Sequence, residues 1–122
     1  MDQSLYEQIG GEKTVEKATY ILYANILQDK RISDFFKDVD IEKQRRKMTA
    51  FLTFITGGPS LYLGKTMRRA HTSVVEKGLS DEHVDAMMEC VSTTLHALDI
   101  DDEKIKKVIN KIEEHRDDVL NR

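Results

Sequence analysis

An all-α fold is predicted for this chain of 122 residues, and three observations support it. Apolar residues recur at helical spacings of three and four in several stretches, whereas no stretch alternates apolar and polar residues as a half-buried strand does. Glycine pairs and the single proline separate these stretches, and Ser or Asp precedes several of them, as helix caps do. We expect one domain over residues 1–122, because this length suits a single core.

The first part of the chain predicts a short helix over 4–9, a long helix over 12–28 and a helical piece over 32–36. Tyr23 lies at the edge of the apolar stripe of the long helix, with a hydroxyl that needs a partner. The simplest such partner is a carbonyl at the surface. Phe35 and Phe36 end the third piece and face different ways, so at least one of them must pack on another element.

A helix over 41–56 follows, with Asp40 as its N-cap. The second half of its inward stripe is apolar, whereas Gln44 and Lys47 stand on the same side in the first half. Two interpretations remain open. Either the helix leaves the core at its start, with the lysine reaching solvent, or these groups line a cavity.

The stretch from Gly57 to His71 combines the end of one predicted helix with the start of the next. Gly57, Gly58 and Pro59 end the preceding helix, and regular spacing resumes over 67–75. His71 shares a helical face with Met67 and therefore points inward. Spacing alone favours a core histidine bonded to a carbonyl. The alternative is a metal ligand, because neutral imidazole is the commonest one.

Two further helices are predicted, over 81–98 with Ser80 as cap and from Asp101 or Asp102 to residue 120. His83 and His96 lie off the apolar stripe of the first of these helices, and we expect both to be solvated. His115 falls on the stripe of the last helix and is expected to be half-buried.

The formal charge of −3, with both signs mixed along the chain, gives no basic face for nucleic acid. Cys90 is the only cysteine, which excludes an internal disulfide and fits a reducing compartment. No apolar run of 18 residues exists, so no membrane partner is expected. These features predict a soluble, cytoplasmic monomer.

A series of short motifs stands in order along the chain: Leu5-Tyr6-Glu7-Gln8-Ile9-Gly10-Gly11, Phe35-Phe36, Lys43-Gln44-Arg45, Gly57-Gly58-Pro59, Tyr62-x-Gly64 and Met67-x-x-Ala70-His71. Each motif is weak alone, but together, at this spacing, they resemble a truncated hemoglobin of group I. The resemblance runs from Leu5 to the C-terminus. It implies a two-over-two helical sandwich around one heme b.

The resemblance also implies roles for individual residues. His71 matches the proximal iron ligand, and Phe36 matches the ring that packs on the heme face. Tyr23 matches the distal tyrosine that donates to a bound ligand, and Gln44 matches a distal polar residue. The mixed stripe of the helix over 41–56 would then line the distal pocket.

Lys47 ends the run Lys43-Gln44-Arg45-Arg46-Lys47, which is similar to a run in a green-algal member whose lysine binds the iron. Met48 departs from the family, which often has a second glutamine there, so one distal donor is missing. Other residues that the resemblance brings to the heme are Met48, Tyr62 and Met67 and, toward its propionates, Lys43, Lys65 and Arg68. The tail after His115 resembles that of cyanobacterial members, in which a histidine at this place bonds covalently to a heme vinyl group. No Cys-x-x-Cys-His is present for thioether attachment.

The function implied is binding of dioxygen, nitric oxide and carbon monoxide. Nitric oxide dioxygenase activity is the favoured one, with an electron-donating reductase as partner. A heme protein with two axial protein ligands, for electron transfer or redox sensing, is the first alternative. A heme-free helical interaction module, in which His71 is simply buried, is the second.

Overall fold

The computed structural model describes residues 3–59, 71 and 75–122. Regular structure within these residues is helical, which confirms the all-α prediction. The elements are α1 (Leu5–Ile9), α2 (Gly11–Gln28), a 3-10 helix (Ser33–Phe36), α3 (Ile41–Ile55), α4 (Asp81–Ala97), α5 (Asp102–Glu113) and α6 (Arg116–Val119). No helix among the described residues is long and apolar enough to cross a membrane.

The helix starts lie where the capping residues predict. The Asp40 side chain accepts a hydrogen bond from the backbone N–H of Lys43, which satisfies one of the free donors of the first turn of α3. Ser80 begins α4 as part of a capping box. Of the two candidates for the start of α5, Asp101 is the cap, because its carboxylate accepts from the Lys104 N–H at 3.0 Å.

α2 is the central helix and packs against α3 on one side and α4 on another. α5 packs against α4, α1 and α3, so the apolar stripes of these helices meet in one core. Val15, Leu22 and Ile26 of α2 and Val108 of α5 are at most 2% exposed. This arrangement leaves the first half of α3 and the C-terminal tail at the edge of the core, where most of their side chains are partly buried or exposed.

The glycine pair after α3 turns the chain as predicted. Gly57 has a φ of +87°, a conformation that side chains with a Cβ rarely adopt. A Cβ on Gly58 would lie 2.7 Å from ring atoms of Tyr6, so the backbone packs directly on that ring. The helix predicted over 67–75 lies largely outside the described residues, although His71 and Val75 have helical backbone.

Two expectations were wrong. The helix predicted to continue to residue 120 is interrupted: the N–H of His115 bonds to the carbonyl of Ile112, three residues back, and a separate short helix, α6, begins at Arg116. His83 is not solvated: its side chain is 14% exposed, its Nδ1 accepts from the Ser80 N–H at 2.9 Å and its ring contacts Phe35. His96 is exposed, as predicted.

Candidate functional site

Tyr23 lies where α2 faces the start of α3. The residue is 4% exposed, and its hydroxyl donates to the backbone carbonyl of Gln44 at 3.4 Å. That distance is long for an O–H···O hydrogen bond, so the hydroxyl is held only weakly. Burial raises the pKa of the phenol well above its ordinary value, which keeps the hydroxyl protonated and able to donate. Its partner is a carbonyl, as expected, but it is that of the half-buried Gln44 and not of an exposed residue.

Phe36 holds the tyrosine ring from the other side. The two rings meet edge to face, with centroids 5.7 Å apart and an interplanar angle of 76°. Phe35 instead contacts His83 on α4, so the adjacent phenylalanines pack on different elements, as predicted. Phe36 itself is only half-buried and retains ring surface for a further apolar partner.

A polar network that the sequence analysis missed joins α2 to α3 beside this site. Thr19 is fully buried, and its hydroxyl lies 3.4 Å from a guanidinium nitrogen of Arg45 and 3.3 Å from the Thr49 hydroxyl. The Arg45 guanidinium also lies 3.9 Å above the ring of Tyr20. The network fixes the position of α3 on α2 and therefore the position of Gln44 relative to Tyr23. A threonine four residues before Tyr23, and so on the same side of α2, was the available signal.

The inward face of α3 changes character along its length. Gln44, Met48 and Phe51 are half-buried, whereas Lys43 and Lys47 are exposed. Of the two predicted polar positions, the glutamine is therefore partly buried next to Tyr23, whereas the lysine is exposed. Met48 and Phe51 pack against the core but keep accessible surface.

The C-terminal tail brings His115 to the second half of α3. Its ring meets Phe51 edge to face at 5.8 Å and is tilted against Phe54 at 6.0 Å. The side chain is 20% exposed, which confirms the expected half-burial. Its Nδ1 is buried and makes no hydrogen bond within the part of the chain that is described, since the Asp118 carboxylate lies 3.8 Å away.

His71 has helical backbone and is half-buried. Four other predicted site residues, Tyr62, Lys65, Met67 and Arg68, lie outside the described residues. No group of three or more His, Cys, Asp or Glu side chains suited to a metal ion occurs among residues 3–59, 71 and 75–122. A single histidine suits iron that is already held by a porphyrin, because the macrocycle supplies the other ligands and the protein adds one axial group.

The described side chains also fit a flat apolar group. Phe36, Met48 and Phe51 keep accessible apolar surface, and Phe54 is 38% exposed. A buried imidazole nitrogen, with no hydrogen-bond partner in the described part of the chain, adjoins two of these rings. An unsatisfied buried polar atom costs free energy, so its presence beside these apolar side chains is consistent with a group that binds against them.

Comparison with known proteins is consistent with this reading. The sequence profile of the bacterial-like globins matches residues 4–121. A group 1 truncated hemoglobin of Synechocystis sp. is 42% identical over 121 residues, covering 97% of this chain and 98% of that protein. One from Tetrahymena pyriformis is 37% identical over 118 residues, covering 97% and 95% of the two chains. The 2/2 hemoglobin of Synechococcus sp. PCC 7002, in the cyanomet state and with covalently attached heme, superposes with a TM-score of 0.91 at 38% identity, covering 98% of this chain and all of that one.

Proposed function

Because this chain belongs to the bacterial-like globin family as a group 1 truncated hemoglobin, we propose that it oxidises nitric oxide to nitrate with dioxygen at a heme. Because the chain belongs to this family, it has the two-over-two helical fold and binds diatomic ligands such as oxygen at a heme. It argues against a heme-free interaction module. The particular reaction is our inference from the site.

The observation that carries the proposal is the buried, weakly held hydroxyl of Tyr23. His71 is the residue that would hold the heme iron, with Phe36 packing on the face of the ring. When bound, the heme supplies the iron that holds the gas and the one electron that nitric oxide and dioxygen need to give nitrate. Tyr23 donates a hydrogen bond to the bound gas by leaving the Gln44 carbonyl, a loss that the 3.4 Å distance makes small.

The surroundings of Tyr23 serve the same reaction. Its burial excludes water from the hydroxyl, which strengthens a hydrogen bond to a ligand that develops negative charge. The half-buried Gln44 carries an amide that would serve as a second donor. An external reductase is the required partner, because each nitrate formed removes one electron from the protein.

A second candidate function, electron transfer or redox sensing, is favoured by Lys47. This lysine lies on α3 three residues after Gln44 and one before Met48, and it is exposed. We propose that its amine would bind the heme iron when no other ligand is present. A protein with both axial positions filled exchanges electrons without needing to bind a gas.

We also propose that the heme is heme b and becomes attached through His115. The Nδ1, which has no hydrogen-bond partner among the described residues, and the contacts with Phe51 and Phe54 support this assignment. In the attachment, an imidazole N–H adds across a vinyl double bond. The nitrogen–carbon bond forms at one vinyl carbon and the proton goes to the other, so no electron is gained or lost overall.

Nitrate production tests the favoured function. The reduced protein, equilibrated with dioxygen, is mixed rapidly with nitric oxide, and nitrate is measured against nitric oxide consumed. We expect one nitrate for each nitric oxide. The ferric cyanide form is the control, because cyanide occupies the gas-binding position. Loss of dioxygen without nitrate formation would contradict the proposal and leave electron transfer as the better function.

A further inference from the structure

Arg116 is the first residue of the four-residue helix α6, and its side chain is only 15% exposed. Its guanidinium bonds to the Asp81 carboxylate at 3.0 Å and to the carboxylate of Asp85 on α4. It also bonds to Glu113, at the end of α5, at 2.6 and 2.9 Å. A helix this short is not stable alone, so such tertiary contacts determine where α6 lies.

Arg122 adds a second connection between the tail and α4. Its guanidinium bonds to both carboxylate oxygens of Asp81, at 2.9 and 3.1 Å, and to Asp117 of α6. The bonds with Arg122 and Arg116 lower the pKa of Asp81, so the carboxylate stays charged at neutral pH. We call Asp81, Asp85, Glu113, Arg116 and Arg122 the C-terminal clasp.

The clasp determines the direction of His115. Neighbouring residues of a helical segment point about 100° apart. Because Arg116 holds the tail against α4, the side chain of the preceding residue, His115, points away from α4. The imidazole is directed at Phe51 and Phe54 of α3. Its own Nδ1 forms no hydrogen bond among the described residues, so hydrogen bonding at that atom does not hold the ring.

We propose that Arg116 is a positioning residue for His115, holding the imidazole where it adds to a heme vinyl group. The inference rests on the covalent attachment proposed above. Addition of a neutral imidazole to an alkene is slow unless the nitrogen and the carbon are held close and aligned. A displacement of about 1 Å in such a reaction costs on the order of a hundred-fold in rate.

Attachment rates test the proposal. Heme-loaded wild type, Arg116→Met and Arg116→Lys are reduced with dithionite, quenched in denaturing acid at intervals and weighed as intact proteins. We expect attachment to slow by roughly ten-fold to a hundred-fold in Arg116→Met, with Arg116→Lys between it and wild type. Lysine keeps the charge but lacks the planar fork that bonds several carboxylates at once.

Arg31→Met is the matched control. Arg31 also bonds to two carboxylates, Asp29 and Glu89, but these join the end of α2 to α4, away from the tail. We expect this variant to attach heme at the wild-type rate. Equal rates in wild type and Arg116→Met would overturn the proposal. Equal slowing in Arg31→Met would also overturn it, since the effect would then reflect lost stability alone.

A second measurement separates this inference from the proposed attachment. If the wild type attaches no heme, covalent attachment is wrong, and proton NOE contacts in the ferrous carbon monoxide form decide the role of Arg116. We expect contacts between the ring protons of His115 and those of Phe51 and Phe54 in wild type and in Arg31→Met, and their loss in Arg116→Met. Contacts that persist in Arg116→Met would overturn the positioning role.

Discussion

Tyr23 gives the sharpest prediction. Tyr23→Phe removes one hydroxyl and leaves the ring, so the edge-to-face contact with Phe36 remains. The hydroxyl makes a bond of 3.4 Å with the Gln44 carbonyl, and losing so long a bond costs less than about 1 kcal/mol. The melting temperature should therefore fall by less than about 5 °C.

Ligand release should change far more. A buried hydrogen bond to a group that carries partial charge contributes about 1.5–3 kcal/mol. At 1.4 kcal/mol for each factor of ten, its loss corresponds to roughly ten-fold to a hundred-fold faster dioxygen dissociation. Carbon monoxide carries little negative charge when bound, so its dissociation should change less.

Stopped-flow displacement of dioxygen by carbon monoxide measures the rate directly. Tyr20→Phe is the control, because Tyr20 lies on the same helix with 52% exposure and its ring still packs under Arg45 after the change. We expect the control to match wild type. A Tyr23→Phe dissociation rate within about two-fold of wild type would refute the assigned role, since a bond that strong is worth at least ten-fold.

Other predictions concern the sixth ligand, the clasp and the core. Lys47→Ala should convert a low-spin ferric spectrum to high-spin and speed ligand binding; a wild-type ferric spectrum that is already high-spin would contradict this. Asp81→Asn should lower the melting temperature near pH 7. The pKa of Asp81 is lower in the folded than in the unfolded protein, so its stabilisation is full above the unfolded pKa of about 3.9 and is lost as pH falls through the folded pKa. The difference in melting temperature between wild type and Asp81→Asn should therefore close below about pH 4. A difference that stays constant with pH would refute the linkage. Leu22→Ala should cost about 2–5 kcal/mol in denaturant unfolding, against less than about 0.5 kcal/mol for exposed Leu27→Ala.

The helices could be predicted because their signals are local. Asp40 and Ser80 cap the helices that follow them, and Gly57 ends α3 with a positive φ, so the observed bounds lie within one or two residues of the expected ones at these ends. The half-burial of His115 followed from helical spacing in the same way.

The site geometry depended on contacts between distant residues and could not be read from spacing. Thr19 and Arg45 are 26 residues apart, and the interruption before α6 goes with contacts between Arg116 and Asp81, 35 residues away. His83 was expected to be solvated because its position on its own helix is off the stripe. Its partner Phe35 comes from another element, so the residue spacing along one helix does not reveal this contact.

The central claim is that His71 holds a heme, and an absorption spectrum tests it most directly. The purified protein is reconstituted with heme, and spectra are recorded in the ferric, ferrous and carbon monoxide forms for wild type, His71→Ala and the exposed-histidine control His96→Ala. We predict a stable Soret band that shifts with carbon monoxide in wild type and control. His71→Ala should lose heme to an apoglobin acceptor, and added imidazole should restore the spectrum. A His71→Ala protein that keeps its heme and the wild-type spectra without imidazole would contradict the account.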